Sequence, residues 1–161
     1  MTPAIRKILL PTDFGPSSAC AAAYAGALAR GLGASVHHVH VLQEPFITRR
    51  GWQPQDAKST ATRDQPYQES RAKLAALAAT LQQAPERITI EVRTGTPAEA
   101  IAAAAVDYGA DLIVMSTPAR GGLPHLMLGS VADRVMQTAR CPVLAVRQSG
   151  AARVHARERV A

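Results

Sequence analysis

The sequence predicts a single α/β domain, a doubly wound parallel sheet with helices on both faces. Five short apolar segments alternate with four longer segments of helical period, in the order β-α-β-α-β-α-β-α-β. That alternation specifies parallel strands joined by right-handed crossovers. The chain has 161 residues, the size of one domain, and no internal repeat divides it. Hydrophobic residues make up 47% of it and aromatics only 4%, so the core must be packed with Ala, Val, Leu and Ile.

The first strand is Ile5 to Pro11, short, largely apolar and closed by proline. Gly15-Pro16-Ser17-Ser18 then opens a helix, with proline tolerated in the first turn. Ala21, Tyr24, Ala25, Leu28, Ala29 and Leu32 recur on one helical face, and Gly31 or Gly33 stops the helix. Ser35 to Leu42 is the second strand. Gln43 to Pro66 has no sustained period, and a loop that long in a compact domain is functional or disordered. The second helix carries Leu74, Leu77, Ala78 and Leu81 on one face. Arg87 to Arg93 alternates polar and apolar residues, as a half-exposed edge strand does. Thr96-Pro97-Ala98-Glu99 reads as a capping box, and Ala98, Ile101, Ala102 and Ala105 form the buried face behind it. Gly109 ends that helix. Asp111 to Met115 is the fourth strand, Gly129-Ser130 opens the last helix with Asp133 behind a Ser130 cap, and Cys141 to Val146 is the fifth strand.

Composition narrows the function classes. No apolar run approaches the ~20 residues of a membrane span, and Pro11 and Asp13 leave no room for a signal-peptide core. Cys20 and Cys141 have no metal or redox spacing and read as a buried, reduced pair, which together with the missing export signal predicts a cytoplasmic protein. The formal charge is +6, but half of the excess comes from Arg147, Arg153, Arg157 and Arg159 against Glu158 near the C-terminus. The chain therefore divides into a folded domain, 1–147, and a basic, flexible tail, 148–161. Basic, aromatic-poor tails more often aid solubility or weak anion contact than sequence readout, so nucleic acid is a minor reading.

In open parallel sheets, ligands bind beyond the carboxyl ends of the strands, where the strand order switches. Pro11-Thr12-Asp13 follows the first strand, and Ser116-Thr-Pro-Ala-Arg-Gly-Gly-Leu123 follows the fourth and runs on to Gly129-Ser130. Gly121 lets backbone approach a ligand, Arg120 is a bidentate phosphate donor, and the first amides of the last helix suit an anion. Asp13 can accept from a ribose hydroxyl or an adenine amine. The bland alternative makes Gly121-Gly122 only a turn and Ser130 only a cap. There is no phosphate loop, no dinucleotide fingerprint after a strand and no nucleophile elbow. His37, His38 and His40 lie on the second strand, with His38 and His40 on one face. Without a nearby acid or thiol they read as core or edge histidines, not metal ligands. Trp52 reads as a packing anchor in the long loop.

At these residues the chain resembles the universal stress protein family, from Ile5 to about Arg147. The resemblance is carried by Lys7-Ile-Leu-Leu-Pro-Thr-Asp-Phe14, by Pro97-Ala-Glu-Ala-Ile101 with Gly109 to Thr117, and by Gly121 to Val135 continuing through Cys141 to Val146. It implies a five-stranded parallel sheet of order 3-2-1-4-5 and a homodimer through the last strand, Pro142 to Val146. It further implies that Pro11, Thr12, Asp13 and the Val41 backbone frame adenine and ribose. Met115 and Ser116 would then lie along the nucleoside, and Ala119, Gly129, Ser130 and Val131 would meet phosphates. The motif of the ATP-binding branch has glycines where Ser116 and Ala119 stand, while Gly129-Ser130 is intact. The Ala119 methyl group bears on triphosphate more than on adenosine.

The expected function is an adenine-nucleotide module, ATP or AMP with Mg²⁺ beside Asp13, acting in stress response as a homodimer. The alternative is a nucleotide-free dimer acting through protein contacts. Enzymatic turnover is not expected, because no nucleophile and base stand together near the proposed pocket.

Overall fold

A computed structural model describes residues 4–43, 60–117, 129–147 and 152–155, with residues 60–64 and 152–155 described by their backbone. The strands are β1 (Lys7–Thr12), β2 (Ser35–Leu42), β3 (Ile88–Thr94), β4 (Leu112–Thr117), β5 (Val143–Arg147) and β6 (Ala152–His155). The helices are α1 (Pro16–Leu32), α2 (Thr60–Ala79), α3 (Pro97–Tyr108) and α4 (Ser130–Thr138), with a short 3₁₀ turn at Pro85–Arg87. β1 to β5 form the parallel sheet in the order β3-β2-β1-β4-β5. β6 was not anticipated: it adds an antiparallel sixth strand beside β5, pairing Val143 with His155 and Val146 with Ala152. Part of the segment expected to be a flexible tail thus continues the sheet. The edge of β5 expected to pair with a second copy is paired within this chain.

The central strands are apolar on both faces because both faces are covered. Ile8, Leu10, Val36, Val114 and Val146 pack under α1, while Leu9, Val39, Ile113, Met115 and Val143 pack under α3 and α4. α2 lies against β2 and β3. At the amino end of the sheet, Asp111 Oδ2 accepts from the Arg6 and Lys7 amides at 2.9 and 3.0 Å. That carboxylate ties the start of β1 to the start of β4, a structural job for an acidic residue in a short loop.

Several local expectations shift. α1 buries Ser18, Ala21, Ala22, Ala25, Gly26 and Ala29, while Tyr24 and Leu32 are exposed. The helix is turned toward its small residues because they fit closely against the sheet and against the backbone at Leu81, just past α2. A Cβ on Gly26 would lie 3.1 Å from the Leu81 carbonyl oxygen, and the same oxygen accepts from Arg30 Nη1 at 2.9 Å. α3 buries Ala104 in place of Ala102, and Thr96 makes no capping bond with its side chain; Glu99 faces Arg134 at 3.6 Å instead. At α4 the capping residue is Gly129, not Ser130. α2 begins at Thr60 and carries Pro66 inside it, so the irregular stretch is shorter than the sequence suggested; Trp52 lies outside the described residues. Cys20 and Cys141 are free and half-buried, and burial, then the Asp111 charge, pushes the Cys141 thiol up.

The three histidines separate by face. His37 does have an acid beside it: its Nε2 lies 2.8 Å from Glu91 Oε2 and its Nδ1 2.7 Å from the Thr89 hydroxyl. Cross-strand register supplied that partner, since His37 pairs with Thr89. Tyr108 stacks on His37 at 4.8 Å. His38 points into the opposite layer, 1% exposed, with Nδ1 lacking any partner.

Burial, with His37 and His40 nearby, pushes the His38 pKa down to about 4. The unfolded chain takes up this proton near the ordinary value of 6.5, so acid favours the unfolded state between the two values. The stability is complete above the upper value and falls toward the lower one by as much as about 3 kcal/mol. His38→Leu should flatten this loss, read as the change in thermal unfolding midpoint between pH about 7 and about 4.5. Equal losses in both proteins would acquit His38.

Candidate functional site

β1 lies between β2 and β4, so the chain leaves its carboxyl end toward one face and returns to the sheet on the other side. The strand tips diverge there, which is where open parallel sheets form clefts. A cavity of about 480 Å³ occupies this switch point, within the range of small-molecule sites.

Its floor is the strand tips: Pro11 and Thr12 of β1, Val39, His40 and Val41 of β2, and Met115 and Ser116 of β4. Its walls are helix beginnings: Ser17 and Ser18 of α1, Pro97 and Ile101 of α3, and Gly129, Ser130, Val131 and Ala132 at α4. Asp13 and Gln43 complete the rim. Nine of the twelve residues singled out from the sequence therefore converge on one cavity: Pro11, Thr12, Asp13, Val41, Met115, Ser116, Gly129, Ser130 and Val131. Ala119, Arg120 and Gly121 lie outside the described residues.

The turn after β1 is closed by hydrogen bonds around Asp13. Asp13 Oδ1 accepts from the Gly15 amide at 2.8 Å and from the Ser18 hydroxyl at 2.6 Å. The Asp13 amide donates to Ser18 Oγ at 3.3 Å, and the Phe14 amide to Thr12 Oγ1 at 3.0 Å. Phe14 holds φ at 62°, the left-handed region that a side chain rarely adopts. In exchange its ring reaches His40, with centroids 4.2 Å apart. His40 Nδ1 lies 2.8 Å from the Thr12 carbonyl oxygen. A carbonyl only accepts, so Nδ1 carries the hydrogen and donates.

Burial works against the Asp13 charge, yet the Ser18 hydroxyl, the Gly15 amide, its own amide and the nearby His40 hold its carboxyl below the ordinary range. The opposite wall has the other polarity. Gly129 caps α4 with no side-chain bond, so the Ser130, Val131 and Ala132 amides and the exposed Ser130 hydroxyl face outward without an intrahelical partner. One end of the cavity thus accepts hydrogen bonds as an anion, and the other donates them. Between the two ends, Val39, Val41, Ile101 and Met115 supply an apolar middle. Among the described residues, no group of three or more His, Cys, Asp or Glu side chains is placed to hold a metal ion.

Sequence reading missed Ser17, Ser18, Val39, His40, Gln43, Pro97, Ile101 and Ala132. Their signal was positional, at the end of β2 or in the first turns of α1, α3 and α4, and it is usable only once the strand order is known. His40 was dismissed for want of a metal partner, although its role here is a hydrogen bond to β1.

The model of the universal stress protein family matches residues 4–147. Universal stress protein MJ0531 of Methanocaldococcus jannaschii is 33% identical over 144 residues, covering 89% of this chain and 82% of that protein. A universal stress protein of Thermus aquaticus is 37% identical over 142 residues, covering 88% and 98%. Among solved structures, protein MJ0577 superposes with a TM-score of 0.75 at 25% identity, over 92% of this chain and 99% of that one. Two more distant neighbours share the fold: a universal stress protein in complex with cAMP (TM-score 0.61, 20% identical, 89% and 97% covered) and one from Archaeoglobus fulgidus in complex with dAMP (0.62, 18%, 89% and 98%).

Removing the Ser18 hydroxyl deletes the shortest bond to Asp13. Ser18→Ala should therefore move the Asp13 pKa upward, read from the carboxyl carbon shift in an NMR titration. An unmoved titration would show that the backbone amides alone hold the charge.

Proposed function

Because this chain belongs to the universal stress protein family, we propose that it binds an adenine nucleotide, AMP or ATP, in the cavity at the β1–β4 switch point, and that it acts in stress response through binding without turnover. The observation that carries the reading is the pairing of opposite polarities across an apolar middle. Asp13, kept ionised, suits the hydroxyls of a ribose. The free amides opening α4 suit phosphate. Val39, Val41, Ile101 and Met115 suit the flat apolar faces of a base. A ligand with its charge at the Asp13 end would meet repulsion, so the polarity also sets the direction in which the nucleotide lies. Ser116 keeps a small side chain at the β4 tip beside the nucleoside.

Relatives described in complex with cAMP and dAMP support the same ligand class. Asp13, the one carboxylate at the cavity rim among the described residues, would hold Mg²⁺ only together with nucleotide phosphates, as that ion is commonly bound. Ser18 sets a hydroxyl beside the Asp13 carboxylate, but that hydroxyl donates to Asp13 Oδ1 and accepts from the Asp13 amide, so it serves the turn. Binding is therefore the better reading of this site than catalysis.

Isothermal titration with AMP, ADP and ATP tests the reading, and saturable heat with at least one of them is expected. Asp13→Ala should weaken that binding by about tenfold or more, the range of a charge-assisted hydrogen bond. No heat from any of the three nucleotides, at protein concentrations well above micromolar, would remove the proposal in favour of a nucleotide-free protein acting through protein contacts.

A further inference from the structure

Away from the cavity, three side chains on the β2–β3 ladder stand in the order a group transfer needs. His37 of β2 pairs with Thr89 of β3, and Val39, two residues on, pairs with Glu91. Residues two apart on a strand share a face, so Thr89 and Glu91 flank the same imidazole. The His37 Nε2 lies 2.8 Å from Glu91 Oε2, and its Nδ1 lies 2.7 Å from Thr89 Oγ1. A carboxylate only accepts, so Nε2 carries the hydrogen. In the neutral ring Nδ1 then offers a lone pair, and the Thr89 hydroxyl donates to it. Hydroxyl, imidazole and carboxylate are spaced as a nucleophile, its base and the group that orients the base.

The imidazole is held at both nitrogens and on one face. Burial works against the Glu91 charge, yet hydrogen bonds from His37 and Arg93 hold its carboxyl below the ordinary range. Arg93 Nε donates to the other oxygen, Oε1, at 2.8 Å. Tyr108 stacks on the His37 ring with centroids 4.8 Å apart and planes 20° apart. That tyrosine is fixed in turn, its hydroxyl 2.8 Å from Ser35 Oγ and its ring 5.2 Å from Lys7 Nζ. His37 is buried, whereas Thr89 is exposed on the edge strand. A fixed base thus lies beneath a hydroxyl that a reactant can reach. Guarding a sheet edge with charge calls for Glu91, Arg93 and Asp107. It does not call for an imidazole lone pair aimed at a hydroxyl.

We propose that Thr89 is an acyl-acceptor site: its hydroxyl, with His37 as general base and Glu91 as positioning residue, takes a short acyl group from a thioester. Thr89 Oγ forms the new bond to the carbonyl carbon, and the carbon–sulfur bond breaks. The hydroxyl proton passes through His37 to the departing thiolate. The products are a threonine ester and a free thiol. An exposed strand at a sheet edge has room for a short acyl group and no enclosure for a long chain. None of these residues lines the cavity at the switch point, so the reaction is independent of a ligand held there.

The test is incubation of the full chain with S-acetyl-N-acetylcysteamine, a small acetyl thioester, followed by peptide mapping. An acetyl group should appear on Thr89, and alkaline hydroxylamine should remove it, because that reagent cleaves esters and spares the amides of acetylated lysines. His37→Gln should slow this acetylation about a hundredfold, the lower end of what a positioned general base supplies, with circular dichroism unchanged. Thr89→Ser should keep the reaction at position 89. Glu91→Gln should slow it and also move the imidazole nitrogen shifts in NMR, since an amide can donate to Nε2 and drive the hydrogen onto Nδ1. Acetylation of Thr89 at full rate in His37→Gln overturns the proposal. Where a substitution prevents folding, the unsubstituted chain decides: acetyl groups found only on lysines, with none on Thr89, overturn it as well.

Discussion

The parallel pairing of β1 with β2 on one side and β4 on the other is the constraint from which the site follows. Ile8 and Leu9 face Val36 and His37 across one ladder and Leu112 and Ile113 across the other. With both edges of β1 occupied and both faces covered, the chain can leave the strand only at its carboxyl end. The crossovers to β2 and to β4 then depart on opposite sides of the sheet. The cleft is the gap those departures leave, and burial of the central strands fixes its floor with the rigidity of a packed core.

The turn after β1 converts that gap into a site with direction. Thr12, Asp13 and Ser18 spend several polar groups on one another, and His40 donates to the Thr12 carbonyl from the next strand. These bonds hold an ionised carboxylate at the rim while leaving its second oxygen outside the turn. The cost is a left-handed Phe14, a strain of the sort that accompanies functional turns. Contact between the Phe14 and His40 rings helps offset it. On the far wall α4 has no side-chain cap among the described residues, and its first amides have no intrahelical partner.

The sheet's two outer boundaries show how the same backbone chemistry is handled in two ways. β3 meets water with an ion-pair network drawn from its own side chains and from α3. β5 is too apolar for that solution, and a further strand covers it. Charge at an edge is a side-chain property, whereas covering an edge is a property of chain connectivity.

The alternation of apolar and helical periods determined the element order, the α/β class and the edge character of Arg87 to Arg93, because those features depend on neighbours within a few residues. Pro11, Thr12, Asp13 and Ser116 were legible as site residues for a related reason, since each lies at or just beyond the carboxyl end of a strand as read from the sequence, while Met115 followed from the family resemblance. The tertiary structure alone decided the rest. Val39, His40, Pro97 and Ile101 join the cavity through strand order, and Glu91 reaches His37 through cross-strand register. Small residues on α1 are buried because the sheet and the backbone at Leu81, past the end of α2, come close beside them. β6 exists as a strand because β5 offers an open ladder, a partner that no local pattern in Ala152 to His155 announces. Periodicity records which face of an element is apolar; which element it meets depends on residues far away in the chain.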